Sequence, residues 1–431
     1  MRHWLLTLEI VASPLTEIFL GIAAVGLVIA IVVPPRHPWR VLIAAGVGAV
    51  FGVGAYLLLN GLNVFGIQLP FLAEVYAVAG LAGCGAAIAA AWDPPWWRRT
   101  IAIIAAVAAL LGGGLGVNKT FAVNHNLASL FGIQAADPIV LPPVTSTAVP
   151  TAPLYQTWTP PAGMPAKGQV GALVGDALIP SPGFTPREGA IYLPPAALVP
   201  NPPALPLIVF MMGQPGSPDP TSLQRTLDAY AAKHQGLAPI AIIADQLGAT
   251  TVDPACADSQ RYGAVSSYFN VSIPQWARTH LNVIDDPRYW TIGGYSNGGA
   301  CAWAWAAQFP GIWGNVFAVS GNEFPGSETI KKTVAEVFGG NQDAFTAASP
   351  LAQLARHPGA YAGHVAIFTM GAEDDTFGPG IQRNAKAAAD AGFTVHLEQI
   401  PGAGHVGNAL DGGLTAGVAD LGSALGLAPP G

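Results

Sequence analysis

Charge is what this sequence has least of. Asp, Glu, Lys and Arg make up 10% of the 431 residues, 25 acidic against 18 basic, for a net charge of -7. No cluster of Lys or Arg occurs, so nothing offers a nucleic-acid backbone the cationic stripe it requires. Cysteine is equally scarce: the three residues show no paired metal-ligand spacing, and no HExxH is present, which argues against a zinc ribbon or a metalloprotease and leaves no metal or other cofactor expected. No self-similarity appears at solenoid periods, so a repeat array is excluded as well.

What the chain has instead is apolar residues, 51% of the total, with a mean hydropathy of +0.43. The excess is concentrated in residues 1–120, where uncharged runs close to the ~20 residues of a bilayer span follow one another. Four membrane helices are expected, at Leu15 to Val33, Val41 to Asn60, Phe71 to Trp92 and Ile101 to Asn118. Arg36 and Arg40 lie in the first short loop and Arg98 and Arg99 in the third, whereas the second, 61–69, has no basic residue. The positive-inside rule then puts the first and third loops in the cytoplasm and everything after about residue 118 outside it. Trp39, Trp92, Trp96 and Trp97 fall where interfacial aromatics belong. Glu74 and Asp93, near span ends, read as interfacial residues and not as an ion pathway.

Residues 121–168 read as an extracytoplasmic linker. Their second half, "ADPIVLPPVTSTAVPTAPLYQTWTPPAGMPAKG" (136–168), is rich in Pro and Thr without a helical period. Such a segment is expected to be an extended spacer that holds the next domain off the membrane and is open to proteases.

From 169 to 431 the pattern changes to apolar, β-branched runs alternating with helix-like ones. Eight strands are expected, at 169–175, 189–195, 205–212, 239–245, 289–295, 315–321, 364–371 and 393–402. Interleaved strands and helices predict an α/β domain with a mostly parallel sheet covered on both faces. Ligands in such sheets sit at the carboxyl ends of the strands.

One of those ends carries Gly294-Tyr295-Ser296-Asn297-Gly298, a G-x-S-x-G pattern between the strand-like "YWTI" and the Ala-rich "NGGACAWAWAAQF". Strand, sharp turn and helix in that order form the context in which the pattern exposes a serine as a nucleophile. A serine hydroxyl needs a base and an acid to orient it, in the chain order Ser, Asp or Glu, His. His405, in the glycine-rich "IPGAGHVGN" after the last strand, is the base that can reach Ser296; His364 and His396 lie within strands and His357 at a helix end. Glu373, Asp374 and Asp375 follow the penultimate strand, and Asp374 is the preferred acid, with Asp375 and Glu373 as alternatives. Two backbone N–H donors are needed for the oxyanion, and they are expected from Asn297 and from Gln214 in "FMMGQPGSPDP". Cys256 and Cys301 can form a disulfide if the domain lies outside the cytoplasm, pinning the loop after the fourth strand to the nucleophile helix. Cys84 falls within a span.

"REGAIYLPPAALVP", "MMGQPGSP", "GGYSNGGACAWAWAAQFPGIWGNVFAVSGNEFP", "GAEDDTF" and "PGAGH" together resemble the esterase branch of the α/β hydrolases, which includes esterase D-like enzymes and the secreted mycoloyltransferases of mycolic-acid bacteria. The resemblance covers about residues 168–427, and a multi-span N-terminus ahead of such a domain is similar to actinobacterial envelope proteins. It implies an α/β-hydrolase fold and an acyl-enzyme on Ser296. Many relatives carry His-Gly before the oxyanion residue; Met212 replaces that His here, which leaves open what satisfies the loop. The implied function is a membrane-anchored, extracytoplasmic serine esterase acting on a lipid or envelope glycolipid ester. An acyltransferase working through the same acyl-enzyme and a non-catalytic membrane scaffold are the alternatives. Trp303, Trp305 and "NEFPG" (322–326) are candidates to line an acyl groove.

Overall fold

Long runs of Ala, Gly, Leu and Val without charges have no polar face to turn to water, and in the computed structural model they form helices that pack through their smallest residues. The structure describes residues 2–32, 38–62, 69–92, 95–122, 124–250 and 252–430. Two units divide at Leu127 and Ala128.

The first unit holds the helices Leu15–Val32, Pro38–Gly61, Phe71–Ala91 and Trp96–Phe121. Where the last two touch, a Cβ on Gly80 would stand 3.0 Å from the Cα of Gly113, so only glycine permits this approach. Their outer faces remain apolar: Leu42, Val50 and Phe51 are each more than 70% exposed. Three of these helices, among the described residues, are long and apolar enough to cross a membrane. The fourth expected helix is present over Leu15–Val32, and its apolar stretch is counted over Leu15–Ile29. It spans 18 residues against 21 to 26 for the others. Arg98 and Arg99, expected in a loop, lie in the first turn of the helix that starts after Pro95, and Arg98 is buried. Arg36 and Asp93 lie outside the described residues.

The second unit is built on an eight-stranded sheet: β1 Gln169–Ala172, β2 Ala190–Leu193, β3 Leu207–Met211, β4 Ile240–Ile243, β5 Trp290–Tyr295, β6 Asn315–Val319, β7 Val365–Gly371 and β8 Thr394–Ile400. Its order is β1-β2-β4-β3-β5-β6-β7-β8. β1 and β2 are antiparallel to their neighbours, and every pair from β4 to β8 is parallel. All eight expected strands are present. β3, β4, β5 and β6 are buried along their whole length because helices cover both faces, which is why they read as continuous apolar runs. β5 lies at the centre, and the helix Asn297–Gln308 follows it after one residue.

The proposed boundary of a linker at residue 168 does not match this division. Residues from 128 on belong to the second unit, and the Pro/Thr-rich stretch is extended but laid along it. Ala172 donates its N–H to the carbonyl of Asp137 at 2.8 Å. The buried amide of Asn282 accepts from the N–H groups of Thr145 and Ser146 and donates to the carbonyl of Pro143. Asp285 donates to Thr147, and the Trp158 indole to Gln235. A segment that cannot form its own ladder is here satisfied by side chains and edges far along the chain.

Candidate active site

The turn between β5 and its helix forces Ser296 into φ 52°, ψ -116°, a conformation L-residues avoid, so the backbone spends strain to hold this one side chain out from the strand end. The turn closes only with glycine on either side: a Cβ on Gly294 would run into the backbone of Gly298, and one on Gly298 into the carbonyl of Met211 at 2.6 Å. Ser296 Oγ lies 2.9 Å from His405 Nε2. His405 Nδ1 lies 3.0 Å from Asp374 Oδ2. The hydrogen-bonded series thus runs from the end of β5 to the loop after β8 and back to the turn after β7.

Asp374 is turned inward with its side chain 1% exposed, whereas Glu373 and Asp375 face solvent. Burial alone would push its carboxyl up. The hydrogen bond and charge of His405, with the N–H groups of Phe377 and Thr376, outweigh that and hold it below its ordinary value. An ionised carboxylate behind the imidazole fixes the tautomer that leaves Nε2 free to accept the serine proton. Two further residues that sequence reasoning missed hold the imidazole: the Tyr295 hydroxyl donates to the His405 carbonyl at 3.0 Å, and the Phe377 ring packs 4.3 Å from the His405 ring. Tyr295 precedes the serine within the motif; Phe377 gave no signal because its role depends on the fold.

Asn297 is the first residue of its helix, where the N–H has no partner within the helix. The Gln214 loop approaches from β3: a Cβ on Gly213 would stand 3.2 Å from Ser296 Cβ. A bond from the Gly216 N–H to the Gly213 carbonyl, 2.7 Å, closes the turn. The question raised by Met212 has an answer in the structure, because its carbonyl accepts from Gln246 Nε2 at 2.7 Å. Glu328 is pushed up to about 7 by burial and by the charge of Asp253.

The structure joins Cys256 and Cys301 in a disulfide and leaves Cys84 as a free thiol. Trp303 and Trp305 are fully buried: Trp303 meets Phe368 and Phe393, and Trp305 stacks on Phe269. Trp303 is core packing. Trp305 also lines a cleft of about 380 Å³ with Phe324 and Pro325 of the "NEFPG" loop. Among the described residues, no group of three or more His, Cys, Asp or Glu side chains could hold a metal ion.

The sequence model of the family described as Putative esterase matches residues 185–406. An uncharacterized protein of Corynebacterium glutamicum is 34% identical over 250 residues, covering 55% of this chain and 58% of the relative, so the chain spans less than two thirds of that relative's length. Among solved structures, an S-formylglutathione hydrolase from Agrobacterium tumefaciens is similar with a TM-score of 0.49, 15% identity, and 61% and 97% of the two chains covered. A ferulic acid esterase gives 0.47 and 14%, with 60% and 98% covered.

Proposed function

The chain belongs to the Putative esterase family, and from that premise we propose that it is a membrane-anchored, extracytoplasmic serine esterase whose substrate is a lipid or envelope ester. The observation that carries the reading is the unbroken series from Ser296 to His405 to Asp374, at 2.9 and 3.0 Å.

In this reaction Ser296 Oγ attacks the ester carbonyl while His405 Nε2 takes its proton. The carbonyl π electrons move onto oxygen, and the N–H groups of Gln214 and Asn297 receive that charge. Collapse of the tetrahedral intermediate breaks the bond to the alcohol oxygen, which leaves with the proton from Nε2. Water then attacks the acyl-enzyme, with His405 acting first as base and then as acid, to release the carboxylic acid and restore Ser296. Asp374 orients the imidazole and offsets its transient charge.

Sidedness is supported by two independent features. Arg40 and Arg98 with Arg99 stand at the N-terminal ends of the helices Pro38–Gly61 and Trp96–Phe121. By the positive-inside rule both helices start in the cytoplasm, so the chain after Phe121 is outside whether or not the shorter first helix crosses. The disulfide fits a compartment that permits oxidation. A lipid substrate is supported by the apolar helices themselves: one span is already an effectively irreversible anchor, so several suggest a further use.

The test compares wild type with Ser296→Ala in the full-length protein, using a short-chain aryl ester in vitro and the ester-lipid profile in cells. Turnover should fall by about 10⁴ to 10⁶, and one class of ester lipid should accumulate. Aryl ester cleavage within tenfold of wild type would sink the nucleophile assignment. An unchanged lipid profile would sink the lipid substrate alone.

A further inference from the structure

An oxyanion site assembled from two elements raises a problem that neither element solves alone. The Gln214 N–H is carried by the loop after β3 and the Asn297 N–H by the helix after β5, so something must fix the distance between them. Catalytic donors need placement within about half an ångström.

We propose that Gln246, in the loop after β4, is the positioning residue that sets this spacing; the proposal rests on the serine-esterase reading above. Its side-chain amide makes two bonds, one to each half of the site: Nε2 donates to the Met212 carbonyl at 2.7 Å and to Asn297 Oδ1 at 3.0 Å. Both hydrogens of one NH₂ group are thereby used. Gln246 is 2% exposed, so the bonds lie away from competing water, where an amide left unpaired is costly.

The rest of the same loop points the same way. Val252 accepts from Gln214 Nε2 at 2.9 Å through its carbonyl. Asp245 binds the Arg187 guanidinium at 2.6 and 3.1 Å, and Arg187 Nη1 donates to the Gly216 carbonyl at 2.8 Å. The turn that carries Gln214 is therefore held at Met212 by Gln246, at Gln214 by Val252 and at Gly216 by Arg187, which Asp245 fixes in turn. The segment that carries Gln246 and Val252 leads into Cys256, whose disulfide ties it to Cys301 on the helix that Asn297 begins. Among these contacts only the Gln246 amide touches both donor-bearing elements at once.

A buried glutamine that merely satisfies the core predicts different kinetics from one that spaces two donors. The experiment uses full-length protein in detergent, with active sites titrated to completion by a fluorophosphonate so that turnover is counted per competent Ser296. Gln246→Leu removes both bonds. Gln246→Glu keeps chain length and shape but replaces the donor by an acceptor. For both, kcat per titrated site should fall about 10- to 100-fold, somewhat below the loss of a whole oxyanion donor. KM should stay within about threefold and the pH midpoint of kcat/KM should not move, because the pairing of His405 with Asp374 is untouched. A kcat per site within about twofold of wild type would overturn the proposal, as would a loss confined to KM. Failure of both variants to fold would overturn it too, by making Gln246 a residue of stability. The underlying reading fails separately, and only if wild type neither titrates at Ser296 nor turns over.

Discussion

The two units bury opposite things. In the esterase unit the apolar strand residues Ile208, Val209 and Phe210 are fully enclosed, while charged residues such as Arg383 with Glu323 and Lys386 with Asp390 pair at the surface. In the helical unit the interior is alanine and glycine, Ala87, Ala90 and Ala105 among them, and Leu42, Val50 and Phe51 face outward. A soluble domain rarely shows so much contiguous apolar surface. The contrast fits the proposed membrane setting of the helical unit: water drives large side chains inward, whereas in lipid there is no gain from hiding leucine, and packing selects residues small enough to let backbones approach.

The sharpest way to contrast the units lies in the active site, where position matters to the single residue. Asp374→Asn should lower kcat by about 10⁴ by leaving His405 in the wrong tautomer, while Asp375→Asn, on an exposed neighbour, should stay within a few-fold of wild type. Steady-state rates of both variants on one aryl ester decide this, and the reverse order would move the acid by one residue. The disulfide comes next. Its two cysteines are 45 residues apart, and Cys256→Ser with Cys301→Ser should lower stability by about 4 kcal/mol in the loop-entropy picture, read as a shift of the unfolding midpoint under non-reducing conditions.

An exposed residue in the helical unit should behave unlike an exposed residue in the other. Phe51→Asp should cost about 2.5 to 3.5 kcal/mol of membrane insertion, seen as carbonate-extractable or degraded protein. A charged residue at Leu178, 59% exposed in the esterase unit, should change stability by no more than about 0.5 kcal/mol. Equal tolerance at the two sites would break the comparison.

Asn282→Ala should lower stability by about 1 to 3 kcal/mol by unsatisfying the backbone of 143–146, and limited proteolysis should cut between 137 and 158 faster in the variant than in wild type. The smallest effect concerns pH. Asp374 is held below its ordinary value of 3.8, so it contributes stability that is present above that value and lost as pH falls through the lowered one. Asp374→Asn should therefore lower the denaturation midpoint near neutrality, where that contribution is present, and converge with wild type at low pH, which flattens the acid limb.

Much of this was legible in the sequence for identifiable reasons. The eight strands are continuous apolar runs, and the serine turn carries its own glycines. His405 and Asp374 follow strands in the order the chemistry requires. The hidden parts depend on distant partners. Residues 137–158 contain no period to read, because their hydrogen bonds are supplied by Asn282, Gln235 and Gly426. Trp303 and Trp305 lie on the helix that follows the nucleophile, yet Phe368, Phe393 and Phe269 claim their rings. Gln246 is one polar residue after a strand, and nothing local shows that its amide spans two other elements.

We propose a serine hydrolase with Ser296 as its nucleophile, working on the far side of the membrane from the cytoplasm. A membrane-impermeant fluorophosphonate applied to intact cells, followed by peptide mapping, tests both halves at once. Covalent labelling at Ser296 is expected before lysis, lost in Ser296→Ala and strongly slowed in His405→Ala. Labelling only after lysis would contradict the topology, and no labelling at Ser296 in lysed cells would contradict the nucleophile.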